Sequence, residues 1–579
     1  MVNIKINNMS LSVPEGTTIL EAARQASIDI PTLCFMKDKN EIGACRMCVV
    51  EVKKARSLVA ACVYPVFEGM EVFTNTERVR KSRKMTLELM LSTHDKKCLS
   101  CVRSTNCELQ KLCRDYGVED ENRFEGEMPS YKLDKSTPHL IRDNNKCILC
   151  RRCVAACKEQ YVSVIGANNR GFDTTIGCAF ENELDNVPCV SCGQCIVNCP
   201  TGALRERDQC DDVLDAINDP EKFVIVQTAP SIRATLGECF GMLIGTDVEG
   251  KMVAALRRLG FDKVFNTDFS ADLTIMEEAN ELIERIQNGG VLPMITSCSP
   301  GWVKFCEHYY PDLLDHLSSC KSPQQMAGAI FKTWYAQKNN IDPKNIVSVS
   351  IMPCTAKKFE VGRDDQNAAG VADVDIALTT RELGRLIDRA GIDFVNLPDE
   401  EFDPTLDIAT GAGAIFGATG GVMEAALRTA ADTISGKSLD NVEYKEVRGT
   451  DGIKEAVYNV AGNDIKVAIA SGLSNANAIL KKIRNGEADY QFIEIMCCPG
   501  GCVNGGGQPI QPASVRNFND LKSMRAKVLY DKDANMSIRK SHESPIIKML
   551  YDEYLEKPGS HKAHEVLHTS YVKREMYKK

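Results

Sequence analysis

Residues 2–6, VNIKI, alternate apolar and polar positions as a half-buried strand does, and NNMS reads as a turn before a second strand in LSVPE. Thr17 and Thr18 stand where they would cap a helix over ILEAARQAS. Residues 81–92 read as a further helix. Beyond residue 210 the texture changes to alternating strands and helices. KFVIVQTAP reads as a buried strand, KMVAALRRLG as a helix closed by Gly260, KVFNT as a strand, and DLTIMEEANELIERIQNGG as a helix beginning near Asp272 with a glycine end. VLPMIT, IVSVSIMP and IKVAIAS are further strand candidates, which makes this part α/β with mainly parallel sheets. The segment SIRKSHESPIIKMLYDEYL reads as an amphipathic helix that packs on the same domain.

Composition narrows the class. A chain of 579 residues with 44% apolar content is an ordinary globular protein of three or four domains, which excludes disorder and fibre. The stretch MVNIKINNMS has no basic segment followed by an apolar one, and no apolar run approaches the roughly 18 residues of a membrane span. The expectation is a cytoplasmic protein with no membrane association. A net charge of -9 argues against a nucleic-acid surface, although the basic stretch Lys81 to Lys84 would suit an acidic protein partner such as an electron carrier.

The 26 cysteines change the picture most. Eighteen lie at or before Cys210, fifteen of them in four clustered groups, so metal ligation is a better reading than disulfides. Cys34, Cys45, Cys48 and Cys62 follow the strand, turn, strand, helix order of a ferredoxin-like β-grasp and suit a 2Fe-2S cluster, with zinc as the competitor. His94, Cys98, Cys101 and Cys107 would bind zinc or a 4Fe-4S cluster with one imidazole ligand. The strongest signal is the pair of runs Cys147, Cys150, Cys153, Cys157 and Cys189, Cys192, Cys195, Cys199 followed by Pro200. In this two-cluster bacterial ferredoxin pattern the fourth cysteine of each run ligates the other cluster. Cys147, Cys150, Cys153 and Cys199 would hold one 4Fe-4S cluster, and Cys189, Cys192, Cys195 and Cys157 the second. The expected domains are a 2Fe-2S β-grasp over 1–78, a domain with one His and three Cys ligands over 79–125, a two-4Fe-4S ferredoxin domain over 138–209 and a catalytic domain over 210–579. The fold class is therefore multidomain, α+β in front and α/β behind.

In α/β folds chemistry gathers at the loops beyond the strands' C-terminal ends. Three cysteine-bearing segments stand there: TSCSPGW, MPCTAKKFE and EIMCCPGGCVNGGGQP. Two other motifs mislead. GAGAIFGATGG has the wrong spacing for a dinucleotide loop and reads as close backbone packing. HEVLH, His564 to His568, matches a short zinc-protease pattern, but exposed polar residues on a helix are the preferred reading.

The three segments resemble the signatures of the iron-only (FeFe) hydrogenases, and the front 210 residues resemble the four-cluster relay of the clostridial type. The resemblance covers essentially the whole chain. It implies an active-site cluster in which a 4Fe-4S cubane is joined through one cysteine to a two-iron unit carrying CO, cyanide and a bridging dithiolate amine. By position, Cys354 and Cys498 would hold the cubane and Cys502 would bridge to the two-iron unit, with the neighbouring glycines making room for a bulky inorganic group. Lys357 would donate to a cyanide, and Met352, Met496, Ala229, Pro230, Ser231 and Gln324 would contact the unit. Cys298, Glu278, Ser318, Glu281 and Arg285 would pass protons to it. The residues alone also read as an exposed helix face with a Glu281–Arg285 ion pair.

One position departs from the family pattern: Ser299 stands where a cubane ligand should be, so Ser299, Cys298 or Cys497 would supply the fourth donor. The segments TSCSPGW and MCCPGGC together resemble hydrogenase subunits of NAD(P)-linked complexes, some of which bifurcate electrons. The implied activity is reversible conversion of protons and electrons to H2. The implied partners are ferredoxin, NAD(P)-binding flavoprotein subunits and maturation proteins. An iron-sulfur assembly protein lacking the two-iron unit, or a sensory hydrogenase with slow turnover, is the alternative.

Overall fold

The structure is a computed structural model that describes every residue except 441, 461 and 579. The chain folds into two compact units: Met1–Val187 with Asn198–Arg205 and Ile510–Asn519, and Pro188–Val197 with Glu206–Pro509 and Asp520–Lys579.

The first unit opens with β1 (Val2–Ile6) and β2 (Met9–Val13), followed by β3 (Val49–Val52), β4 (Val59–Ala60) and β5 (Glu71–Phe73), in one sheet of order β2-β1-β5-β3-β4. Ile4 and Ile6 point into its core while Asn3 and Lys5 stay exposed, as the alternation in VNIKI requires. Helix Ile19–Gln25 begins at Thr18, whose side chain forms a reciprocal capping box with Glu21, a device worth about 1 kcal/mol. Its Ile19, Leu20, Ala22 and Ala23 cover the sheet with Val50 and Val72. The next helix runs over Glu77–Leu91 rather than 81–92, because Thr76 accepts the Val79 amide and caps it four residues earlier. Its first turn, ERVR, is too polar to show as a helix by hydrophobic period. The short strands β6 (Leu140–Arg142), β7 (Gly166–Asn168), β8 (Thr175–Gly177) and β9 (Leu204–Glu206) form the two ribbons β6-β9 and β7-β8.

The second unit is built on two four-stranded sheets. One has the order β11-β10-β13-β14, from β10 (Phe223–Thr228), β11 (Lys263–Asn266), β13 (Ile346–Met352) and β14 (Ile376–Thr379), and is wholly parallel. The other has the order β12-β17-β16-β15, from β12 (Met294–Ile295), β15 (Ile453–Val460), β16 (Asn463–Ser471) and β17 (Phe492–Met496), with only β15 antiparallel. The near-continuous burial of β10, β13 and β17 is what sheets covered on both faces require. Helix Asp268–Asn288 joins the two cores. Its Phe269 and Leu273 pack with Ile225 and Phe265 of the first sheet, and its Ala271, Ile275 and Leu282 with Val467 and Phe492 of the second.

Three local readings are corrected here. This helix starts at Asp268, not near Asp272: the Asn266 side chain accepts the Phe269 amide at 3.0 Å, and the Asp268 carboxylate in the first turn pairs with Arg233 at 2.5 Å, a partner 35 residues away in the chain. VLPMIT contributes only Met294–Ile295 as strand, since Pro293 has no amide to give a ladder. Of SIRKSHESPIIKMLYDEYL only Pro545–Leu550 is α-helix, started by Pro545 with Ser544 as cap and followed by a π-helical turn at Tyr551–Leu555. Ile546, Ile547 and Leu550 do pack on this unit's core beside Phe269. Close packing explains GAGAIFGATGG: a Cβ on Gly413 would lie 2.4 Å from the Asp268 carbonyl oxygen and one on Gly420 1.9 Å from that of Val447. Among the described residues no helix is long and apolar enough to cross a membrane.

Candidate active site

Three loops converge at the C-terminal ends of strands in the second unit. Cys298 follows β12, Cys354 follows β13, and Cys498 and Cys502 follow β17, while Ala229, Pro230 and Ser231 follow β10. Together they line a cavity that also includes Ser299, Gln324, Met352, Lys357, Met496 and Cys497. Every residue that the sequence pointed to as holding or contacting the active-site group thus lines one space. Pro353, Phe416 and Gly417, which sequence reasoning did not single out, complete its apolar wall.

The TSCSPGW loop is fixed by its ends. Thr296 accepts the Ile495 amide at 3.2 Å through its hydroxyl, and its carbonyl accepts the Trp302 indole N–H at 3.0 Å. Ser297 donates to the Cys320 carbonyl at 2.8 Å. These bonds leave Cys298 and Ser299 turned to the cavity, just before helix Pro300–Tyr309. Ser299 does not cap that helix with its side chain; its hydroxyl accepts the Cys497 amide at 3.1 Å instead.

Lys357 donates to the Cys298 carbonyl at 3.2 Å and to Glu360 at 2.9 Å. Glu360 is held in turn by Ser322 and Gln324, each at 2.9 Å. Two of the three ammonium protons are therefore committed, and Lys357 itself lines the cavity. Sequence reasoning missed Glu360 and Ser322, although the (i, i+3) spacing of Lys357 and Glu360 in MPCTAKKFE was a usable signal.

The glycines beside Cys502 also answer to neighbouring backbone. A Cβ on Gly505 would stand 2.2 Å from the Pro353 carbonyl oxygen, and one on Gly501 2.7 Å from the Thr419 nitrogen. They let the loop press against neighbouring backbone, and both also line the cavity beside Cys502.

Behind Cys298 lies a line of polar groups. Glu278 is wholly buried and neither oxygen has a hydrogen-bond partner at full bonding geometry. Burial, with the Glu281 charge second, pushes its carboxyl up to about 8. Burial, with Glu278 second, also holds the Cys298 thiol well above the ordinary cysteine range, so both groups carry protons at neutral pH. Ser318 donates to Glu281 at 2.9 Å, and Glu281 pairs with Arg285 at 2.6 Å. Arg285 also donates to the carbonyls of Val291, Asp315 and Leu317. The ion pair is present, but each of its side chains is only 15% exposed, so it is not the solvated helix face that the residues alone allow. His568 of HEVLH is also no exposed residue. It contacts Glu277 at 3.1 Å and Ser319 at 2.8 Å, while His564 is exposed and stacks on it at 3.9 Å.

The predicted relay positions divide between the units. In the first, Cys34, Cys45, Cys48 and Cys62 are all buried, with the Cys48 and Cys62 sulfurs 3.3 Å apart. His94 is buried with Nδ1 unpartnered, and burial pulls its imidazole down to about 4, the neutral form that ligates metals. Cys98, Cys101 and Cys107 follow it, and a Cβ on Gly202 would lie 2.5 Å from the Cys101 sulfur. Cys147, Cys150, Cys153 and Cys199 line one cavity. Leu149 and Arg151 between them have left-handed backbone (φ 53° and 60°), and Ser191 and Gly193 repeat that pattern (φ 62° and 67°) in the second run. Cys157 belongs to the first unit, on helix Arg152–Glu159, while Cys189, Cys192 and Cys195 belong to the second.

Convergent thiols, an unpartnered Ser231 hydroxyl and the ammonium-bearing Lys357 in the same lining are a donor set that fits a thiolate-held iron-sulfur group. The comparisons agree with that chemistry. Residues 222–506 match the iron only hydrogenase large subunit, C-terminal domain, and 519–574 the iron hydrogenase small subunit. Residues 1–77 match a 2Fe-2S iron-sulfur cluster binding domain, 83–122 the NADH-ubiquinone oxidoreductase-G iron-sulfur binding region, and 146–203 a 4Fe-4S dicluster domain. The chain belongs to the iron-only (FeFe) hydrogenase family, a class of H2-metabolising oxidoreductases.

Within that family it is 49% identical to the NADP-reducing hydrogenase subunit HndD of Solidesulfovibrio fructosivorans, over 99% of each chain. It is 46% identical to iron hydrogenase 1 of Clostridium pasteurianum, over 99% of this chain and 100% of that one. The solved apo [FeFe]-hydrogenase HydA1 of Chlamydomonas reinhardtii matches 63% of this chain and 99% of its own, with a TM-score of 0.56 and 42% identity.

Proposed function

We propose that the chain interconverts H2 with protons and electrons, with the cavity as the seat of the family's active-site cluster and the front cysteine groups as its electron relay. The observation that carries this is the convergence of Cys354, Cys498 and Cys502 with Lys357 in one apolar cavity at strand ends. Cys354 and Cys498 would hold the cubane, Cys502 would bridge to the two-iron unit, and the bound group supplies the H–H bond chemistry and takes up the electrons. Lys357 presents an N–H to an anionic ligand. Met352, Met496, Ala229, Pro230, Ser231 and Gln324 set the cavity's shape and keep water out, which strengthens the field of that ammonium.

Cys298 holds a proton at the cavity wall. Glu278 takes it up or replaces it, and Ser318, Glu281 and Arg285 carry the line outward. The relay would comprise one 2Fe-2S cluster on Cys34, Cys45, Cys48 and Cys62 and a 4Fe-4S cluster on His94, Cys98, Cys101 and Cys107. Two further 4Fe-4S clusters would use Cys147, Cys150, Cys153 and Cys199, and Cys189, Cys192, Cys195 and Cys157. These assignments set the domains at 1–78, 79–125, 138–209 and 210–579.

The electron partner would be an NAD(P)-binding flavoprotein subunit, ferredoxin or both, in a cytoplasmic complex. The near full-length likeness to a subunit named as NADP-reducing supports that choice, and no glycine loop of dinucleotide spacing was found in the sequence.

The test is anaerobic H2-dependent dye reduction by the full chain produced with maturation proteins. Turnover is expected; none, where the same maturation activates a control hydrogenase, would sink the reading. NADP reduction should require an added partner subunit, and tight NADH binding to this chain alone would contradict that part.

A further inference from the structure

A protein-held 4Fe-4S cubane takes four ligands, and the cavity's assigned thiols number only three: Cys354, Cys498 and Cys502. The position that should give the fourth is Ser299. The same cavity wall holds one more thiol that neither the cubane assignment nor the proton line uses, that of Cys497.

Ser299 and Cys497 come from loops 198 residues apart and meet directly, the Cys497 amide donating to the Ser299 hydroxyl at 3.1 Å. The Cys497 sulfur lies against the first turn of the helix that Ser299 precedes. A Cβ on Gly301, two residues after Ser299 in the first turn of helix Pro300–Tyr309, would be only 2.8 Å from it. The Cys497 thiol also neighbours the thiols of Cys498, assigned above to the cubane, and Cys192, assigned to the relay, both in the same unit. Chemistry favours the same choice. A serine binds iron only as a hard alkoxide, whereas a thiolate is the soft donor that iron-sulfur clusters select. Using Cys298 instead would take the proton carrier out of the proton line.

We propose that Cys497 supplies the fourth ligand of the cubane, the thiol having moved from the β12 loop to the β17 loop. Ser299 becomes a positioning residue that holds the Cys497 backbone through its amide. This rests on the cubane assignment made above. It also places the ligand beside Cys192, which would bring a relay ligand and a cubane ligand next to each other.

The test uses the full chain matured anaerobically with 57Fe, read by iron content, Mössbauer spectra and the infrared bands of metal-bound CO and cyanide. Cys497→Ala should lose about four irons per chain and the infrared bands. Ser299→Ala should keep both, and the double variant S299C/C497A should regain both. Loss of iron on Ser299→Ala, its retention on Cys497→Ala, or one iron site in the unmutated chain with the raised isomer shift of an oxygen ligand would overturn the proposal. An unmutated chain with full iron but no CO or cyanide bands would instead remove the two-iron unit from the proposed function, and the iron counts of the variants would still decide the ligand.

Discussion

The relay sites of the first unit and the cavity of the second use the same side chain in opposite ways. Cys147, Cys150 and Cys153 lie within seven residues, and two left-handed residues, Leu149 and Arg151, turn their thiols toward one point. Cys298, Cys354 and Cys498 come from the ends of β12, β13 and β17, which belong to two different sheets. Three of the four thiols of this proposed relay site are thus encoded in a short loop, whereas the cavity exists only when both sheets and the helix Asp268–Asn288 between their cores are in place. Local encoding makes a site replaceable; assembly from distant strand ends lets the protein place a lysine, a thiol and a buried carboxyl around one space.

That contrast can be broken most severely at the bridge. Cys502→Ser should abolish H2 turnover and the CO and cyanide infrared bands while leaving the relay clusters' paramagnetic signals, as checked by electron paramagnetic resonance of the reduced protein. Next, Cys298→Ala should lower turnover by about 10⁴-fold with the infrared bands retained, because it removes a proton carrier and no ligand. Restored activity in C298A at neutral pH would contradict the proton line.

Glu278→Gln should cost about 10²-fold and sharpen the comparison through its pH profile. Burial raises this carboxyl to about 8, so it holds its proton below that pH and loses it as pH rises. H2 evolution should therefore fall as pH climbs through about 8, and H2 oxidation, which needs the ionised carboxylate as acceptor, should rise over the same window. Both inflections should vanish in the glutamine variant. The smallest effect on the chemistry belongs to the relay: His94→Ala should leave H2–dye turnover nearly unchanged while slowing reduction of the protein partner. Equal loss of both activities would show that the dye also enters through that cluster.

The same contrast explains what was legible in the sequence. Runs such as Cys147, Cys150 and Cys153 announce themselves because spacing within a loop dictates where thiols point, although their fourth partner, Cys199, lies far along the chain. The cavity's ligands were legible only as three short segments at strand ends, and their roles came through family likeness. What could not be read was long-range. The bond between Ser299 and Cys497 spans 198 residues and that between His568 and Glu277 spans 291. The first turn of helix Asp268–Asn288 pairs with Arg233, and the glycines beside Cys502 answer to Pro353 and Thr419. Each follows from which strands become neighbours, a property no local pattern carries.

The central claim is that this cavity takes up the two-iron unit although Ser299 replaces a ligand. An infrared spectrum of the anaerobically matured full chain, over the region where metal-bound CO and cyanide absorb, tests it most directly. The account predicts bands of both ligands. A blank spectrum, from a preparation whose maturation proteins load a control hydrogenase, would contradict it and leave the chain as an iron-sulfur electron carrier.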